Sequence, residues 1–233
     1  FSSFSEKNST GTEAPLDHQQ KKWAISSCVW IVISAITALT ILLQLNQLLT
    51  LPVVFILGLL STCGLLFTLP PMQLAYSGFG EFVHTFALTI LCPALAFLLQ
   101  APTLHRFVIL ASLPLFLAYG ALLLAFEVIS FSKDIRQVRL TLLVRLDWQK
   151  GMALHNVLVI LVFLAIGLAA FLGFPRFGVI SGLALLPLGI FQIWQMRRIE
   201  DGRKPQWGYL RLAAIFLFAT LGYLLAYGFW ILG

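Results

Sequence analysis

The feature that most constrains this chain is a long run without charge. No residue between Trp23 and Gly80 is charged, and residues 46–52, NQLLTLP, divide that run into two apolar stretches. A helix of about 20 apolar residues crosses the hydrocarbon core of a bilayer, so each stretch is long enough to span it. Of the 233 residues, 60% are hydrophobic and 10% are charged. That composition excludes a water-soluble fold built around one apolar core, and we predict an integral membrane protein.

The apolar stretches predict an all-α, polytopic membrane helical bundle with seven transmembrane helices. The expected spans are residues 23–45, 51–69, 82–100, 107–128, 152–172, 177–196 and 210–231. We expect residues 1–22 to form a polar cytoplasmic segment and residues 23–233 to form the transmembrane domain.

The basic residues predict the orientation of these spans, because Lys and Arg are retained on the cytoplasmic side of short loops. Of the 15 basic residues, all but Arg106 and Arg176 fall in the amino-terminal segment and in alternate loops. Those residues are Lys7, Lys21, Lys22, Lys133, Arg136, Arg139, Arg145, Lys150, Arg197, Arg198, Arg203, Lys204 and Arg211. The amino terminus and the charged loops are therefore predicted to be cytoplasmic.

Several classes of function are disfavoured by the sequence. The net charge of +6 does not indicate a nucleic-acid partner, because the basic residues lie between apolar runs and not on one face of a soluble domain. No GxSxG, HExxH or P-loop motif is present, so a hydrolytic or nucleotide-binding site is not supported. A transporter would carry polar groups in broken helices at mid-membrane depth, and these spans show almost none.

The loop that follows the fourth span contains candidate ligands for a phosphorylated substrate. Glu127, Ser130 and Asp134 are spaced i, i+3 and i+7, so they share one face if the helix continues beyond the membrane boundary. Carboxylates suit Mg²⁺, and nearby bases suit phosphate oxygens. The candidate bases are Arg136, Arg139 and Arg145. The alternative is a topological signal in which Asp134 pairs with a neighbouring Arg.

A second informative loop is PPMQLAYSGFGE, residues 70–81. Its two prolines end a helix, and Gly78 and Gly80 allow the backbone to turn tightly near a ligand. Tyr76 and Glu81 are candidate binding residues. The alternative is that these two side chains only cap and anchor the next helix.

These two loops resemble the UbiA superfamily of intramembrane aromatic prenyltransferases, and most closely its 1,4-dihydroxy-2-naphthoate prenyltransferase branch. The first loop of that branch typically reads P-P-x-K/R-L-x-Y-x-G-x-G-E, and Gln73 replaces the basic residue here. The matching residues are Pro70, Pro71, Leu74, Tyr76, Gly78, Gly80 and Glu81.

The second motif of the branch typically reads D-x-x-x-D-x-x-x-G-K-x-T-L-x-V-R-L-G. Matching residues 141–146 to its end places Asp134 on the second Asp and Arg139 on the Lys. Ser130 stands where the first Asp is expected, Val138 replaces the first Gly, and Asp147 replaces the last Gly. One carboxylate of this motif is therefore missing.

The resemblance implies a nine-helix fold around a lipid-open cavity, of which this chain holds helices three to nine. The sequence GTEAP at residues 11–15 resembles the segment that follows the family's first acidic motif, so that motif is expected upstream. The implied function is transfer of a prenyl group from an isoprenoid diphosphate to an aromatic acceptor, with Mg²⁺, in the bacterial inner membrane.

The resemblance also implies roles for individual residues. Asp134 and Glu127 are the expected catalytic and metal-binding residues. The expected substrate-binding residues are Arg136, Arg139 and Arg145 for the diphosphate, and Tyr76 and Glu81 for the acceptor.

The alternative is a non-catalytic relative that binds a quinone or pigment lipid, or stabilises a larger membrane complex as one of its subunits. The substitutions at positions 73, 130 and 147 favour that alternative.

Overall fold

A computed structural model of the chain describes residues 18–68, 74, 78–101, 103–136 and 140–232. Within these ranges all regular structure is helical and no strand occurs, which confirms the all-α prediction. The chain divides into two compact units, Phe1–Leu49 and Thr50–Gly233. Most of the predicted polar segment 1–22 lies outside the described residues, and its boundary stays a prediction.

The first unit contains one described helix, α1 (His18–Leu45). The hydroxyls of Thr37 and Thr40 each donate to a backbone carbonyl one turn earlier, at 2.8 Å. These polar groups are therefore satisfied within the helix itself, as an apolar environment requires. After α1 ends, Gln47 has a φ of 54°, in the left-handed region, and the chain turns away from the helical path.

The second unit contains the remaining described helices. They are α2 (Leu51–Thr68), α3 (Gly80–Phe86), α4 (Cys92–Leu98), α5 (Arg106–Arg136), α6 (Leu142–Leu146), α7 (Trp148–Phe171), α8 (Arg176–Leu183), α9 (Leu186–Glu200) and α10 (Trp207–Leu232). A π-helical turn, Ala87–Leu91, joins α3 to α4 without a break.

Five helical segments of the described chain are long and apolar enough to cross a membrane. They are Gly80–Leu98, Arg106–Arg136, Trp148–Phe171, Arg176–Glu200 and Trp207–Gly228. Two further apolar helices, Ile33–Leu45 and Leu51–Phe67, are shorter. The structure therefore indicates an integral membrane protein, with five of the seven predicted spans meeting this criterion.

Two predicted spans correspond to helical segments whose continuity or length differs from the prediction. The span predicted at residues 177–196 lies within the segment Arg176–Glu200. This segment consists of α8 and α9, because Pro187 near the start of α9 cannot donate to the preceding turn. The span predicted to end at residue 128 continues to Arg136 as part of α5. No Gly or Pro occurs between Ala121 and Arg136 to end that helix.

The core of the second unit forms around α5, which packs against α7 and α10. Small residues line the buried side of α5, namely Ala111, Ala118, Ala121 and Ala125. Small side chains allow helix backbones to approach closely, which is a common way for membrane helices to associate. This packing brings the end of α5 beside the start of α10.

Candidate functional site

A cavity of about 370 Å³ lies where several helix ends of the second unit meet. The start of α3, the last turns of α5, the residue before α6 and the start of α10 form most of its wall. Its polar lining consists of Glu81, His84, Glu127, Ser130, Asp134, Thr141 and Arg211. Its apolar lining includes Phe67, Leu123, Phe126 and Ile129. Acidic, basic and apolar groups therefore converge at one place.

Hydrogen bonds at the amino terminus of α6 join this helix to side chains that line the cavity. The first backbone amides of a helix have no partner within the helix and need acceptors from outside. Here the amide of Leu142 donates to Glu81 Oε1 at 3.4 Å, and the amide of Leu143 donates to Glu127 Oε2 at 2.8 Å. Thr141 caps the helix, and its Oγ1 accepts from the third amide, that of Val144, at 3.4 Å. Three side chains from α3, α5 and the cap thus hold α6 in place.

The carboxyl groups of Glu81 and Glu127 adjoin each other beside these amides. Glu81 Oε2 is enclosed and has no hydrogen-bond partner in the described structure. Two ionised carboxylates in contact repel each other, and the repulsion is strong where water is excluded. A shared proton or a bound cation would relieve that repulsion.

The third acidic residue, Asp134, lies on the same helix as Glu127 and is also buried. Its Oδ2 accepts a hydrogen bond from Ser130 Oγ at 2.5 Å. Glu127, Ser130 and Asp134 all line the cavity, as their spacing on one helix face predicts. The Ser130 hydroxyl therefore serves as a donor to the Asp134 carboxylate.

A histidine on α3 also lines the cavity. His84 lies one turn after Glu81 on α3, and its Nδ1 is 3.2 Å from the hydroxyl of Tyr119 on α5. The His84 ring also contacts the ring of Phe67, with centroids 5.8 Å apart. These contacts orient the imidazole at the cavity wall.

The base that lines the cavity is Arg211, near the start of α10. Its guanidinium lies over the ring of Phe126, 5.5 Å from the ring centroid. The sequence predicts only a topological role for Arg211, because this residue is 77 positions from Asp134 and in a different loop. Only the packing of α10 against α5 brings this base to the cavity.

Two of the three predicted bases, Arg136 and Arg145, do not line the cavity. Arg145 is exposed, and its guanidinium lies 5.3 Å from the ring centroid of Phe79. Arg145 also packs against Gly78, where a Cβ would come within 2.8 Å of Arg145 Cδ and where φ is +73°. Arg136 is exposed at the end of α5. Arg139 and Tyr76 lie outside the described residues, so their predicted roles stay predictions.

The donor set for a metal ion is limited. No group of three or more His, Cys, Asp or Glu side chains suited to a metal occurs in the described part of the chain. The adjoining carboxyls of Glu81 and Glu127 do suit Mg²⁺, which usually takes one or two carboxylates from a protein and completes its shell with phosphates and water. The family resemblance predicts that Glu81 binds the aromatic acceptor and does not predict a metal-binding role for it.

Comparison with protein-family models, with curated proteins and with solved structures gives no match for this chain.

Proposed function

We propose that this chain transfers a prenyl group from an allylic diphosphate to an aromatic acceptor in the membrane, in the manner of the UbiA superfamily. The observation that carries the proposal is the meeting of two buried acids, Glu127 and Asp134, the half-buried Glu81 and Arg211 at one cavity beside membrane-spanning helices. As part of the proposal, the chain has seven spans in a bacterial inner membrane, and the cavity opens on the cytoplasmic side.

The size and lining of the cavity support a small, partly charged ligand. A volume of about 370 Å³ falls near the lower end of the range for small-molecule sites. It accommodates a diphosphate head or an aromatic ring but not a long isoprenoid chain. An isoprenoid tail would therefore extend between the apolar helices toward lipid.

The reaction requires cleavage of the allylic carbon–oxygen bond, with the electron pair leaving on the diphosphate. Arg211 binds a diphosphate oxygen and stabilises the charge that develops there. When bound at Glu81 and Glu127, Mg²⁺ supplies further neutralisation of that charge. The Ser130 hydroxyl holds the Asp134 carboxylate in a fixed orientation toward the cavity. The apolar wall excludes water, which would otherwise capture the allylic cation.

The second candidate function is a non-catalytic subunit that binds a quinone or pigment lipid. A specific observation favours it, since Glu81 and Glu127 both accept hydrogen bonds from the start of α6. Such bonds give these acids a structural role without any substrate. The two functions differ in whether the acids are needed for chemistry or only for folding.

The test uses the purified full-length protein in lipid nanodiscs, with Mg²⁺, a radiolabelled isoprenoid diphosphate and dihydroxynaphthoate. We expect product from the wild type and none from Asp134→Asn, which keeps the shape of the side chain but removes its charge. The matched control is Asp147→Asn, because Asp147 lies outside the cavity lining and caps α7. Its φ of 77° and ψ of 153° lie in a region that is strained for Asp and Asn alike, so the exchange adds no new backbone strain.

Each outcome is informative. Unchanged turnover in Asp134→Asn would remove Asp134 from the site. An inactive wild type that binds a quinone in the same nanodiscs would replace the enzyme with the lipid-binding subunit. Equal loss of activity in Asp134→Asn and Asp147→Asn would show a general effect of charge on this membrane face.

A further inference from the structure

The end of α9 combines an exposed aromatic ring with a stacked arginine. Trp194 is 48% exposed although it lies within a segment long and apolar enough to span the membrane. Ile190, one turn earlier on the same face, is 59% exposed. The opposite face of α9 is buried and includes Gln192 and Met196. An exposed apolar stripe on a membrane-spanning helix contacts lipid and not water.

Arg198 continues this stripe at the point where the span ends. Its guanidinium Cζ lies 4.7 Å from the centroid of the Trp194 ring, in cation–π range. Tryptophan rings at helix ends prefer the headgroup layer of a bilayer, where the ring is apolar and the surroundings are polar. A guanidinium stacked on such a ring is therefore held at headgroup depth, next to lipid.

One hydrogen-bond donor of Arg198 lacks a partner. Its Nε is enclosed and has no partner among the described residues. The outer Nη groups provide the fork geometry that matches phosphate oxygens.

The charge around Arg198 also favours an anion. Arg197 adjoins it, and Arg203 and Lys204 follow in an exposed turn. That turn is fixed by Gly202, whose φ is +75°, and by a bond from the Arg203 amide to the Arg198 carbonyl at 3.1 Å. Glu200 and Asp201 offset part of this charge, and the segment stays net positive.

We propose that Trp194 and Arg198 form a binding site for the phosphate headgroup of an anionic phospholipid at the end of α9. A lipid fits the depth of this site, because the aromatic half of the pair lies on the lipid-facing stripe. A basic cluster at a membrane boundary attracts anionic lipid, and each base adds to that attraction. Because Arg198 is stacked on Trp194, it attracts the lipid phosphate at one defined position. The site does not depend on the proposed prenyl transfer.

The experiment measures lipid binding to the purified full-length chain by native mass spectrometry. The chain in detergent is titrated with dioleoyl phosphatidylglycerol, with dioleoyl phosphatidylcholine and with inorganic phosphate. We expect phosphatidylglycerol to bind more tightly than phosphatidylcholine. Arg198→Ala should weaken phosphatidylglycerol binding by about fivefold or more, since it removes a charge-assisted hydrogen bond.

Two matched variants separate a site from charge alone. Arg197→Ala removes the same charge one residue away, from an exposed arginine, and should weaken binding less than Arg198→Ala, because it is Arg198 that stacks on Trp194. Arg176→Ala removes an exposed arginine at the other end of the same span and should leave binding unchanged. Trp194→Leu keeps an apolar side chain, and it should reduce the preference for phosphatidylglycerol because the guanidinium loses its support.

Three results would overturn the proposal. Equal losses in Arg197→Ala and Arg198→Ala would leave only diffuse charge. Equal affinity for the two phospholipids would show that headgroup charge is not recognised. Competition by inorganic phosphate at concentrations similar to those of the lipid would identify a soluble anion as the ligand.

Discussion

Replacing Glu127 tests what holds α6 at the cavity. Glu127 is buried, and its Oε2 accepts from the Leu143 amide at 2.8 Å. Glu127→Gln keeps an oxygen within reach of that amide and replaces the carboxyl group that adjoins Glu81 with a neutral amide. Glu127→Leu keeps a side chain of similar size but removes the acceptor. The two variants therefore separate the hydrogen bond from the charge.

The expected magnitude follows from the amide that Glu127→Leu leaves without a partner. An unsatisfied buried backbone donor costs about 1–3 kcal/mol. At about 1.4 kcal/mol per factor of ten, this is about a 5- to 150-fold increase in the population with α6 detached. Glu127→Gln should change this population less than Glu127→Leu, because its side-chain oxygen still accepts from the Leu143 amide.

Hydrogen exchange followed by mass spectrometry measures this population in nanodiscs. The informative peptides cover residues 141–147, and peptides from the middle of α7 serve as the internal reference. We expect exchange in 141–147 to accelerate in Glu127→Leu and to change little in Glu127→Gln. Unchanged exchange in Glu127→Leu would contradict the role of this bond. Equal acceleration in both variants would show that charge, and not the hydrogen bond, positions α6.

Two further substitutions test the packing around α6. Gly151→Ala would place a Cβ 1.9 Å from Leu143 Cδ1, so we expect thermal unfolding to show a stability loss of about 1–3 kcal/mol. The control is Gly167→Ala, on the same helix and with open space around it, which should gain up to about 1 kcal/mol of stability. Equal effects of the two variants would refute the close contact. Thr141→Ala removes the cap that accepts from Val144 and should lower the free energy of unfolding by about 0.5–2 kcal/mol. Thr141→Ser should keep most of the stability. A Ser variant as unstable as the Ala variant would mean that the methyl group, and not the hydroxyl, stabilises the helix.

The helix-face relation within α5 could be predicted because it is local. Glu127, Ser130 and Asp134 share a face by the 3.6-residue period of a helix, whatever the rest of the chain does. The length of α5 was harder to predict, because hydropathy falls at the polar residues after 128 while the backbone stays helical to Arg136. Hydropathy reports where lipid ends, and helices end where capping or a breaker ends them.

The meeting of groups from different helices could not be predicted from these residues alone. Glu81 and Glu127 are on separate helices, and they adjoin because α3 packs against α5. Arg211 reaches the same cavity because α10 packs against α5 on another side. In helices that are apolar all round, the pattern of residues does not mark the face that packs against protein.

The amino-acid sequence by itself determined the membrane environment, the helical class and the set of acids on one face of α5. These properties depend on composition and on short-range periodicity, which each segment carries independently of the others. Tertiary structure alone decided that Glu81 joins Glu127 at the start of α6, that Arg211 faces the acids and that Arg145 packs on Gly78. Those contacts depend on how neighbouring helices fit together, since small residues along α5 set the distance and orientation of its partners.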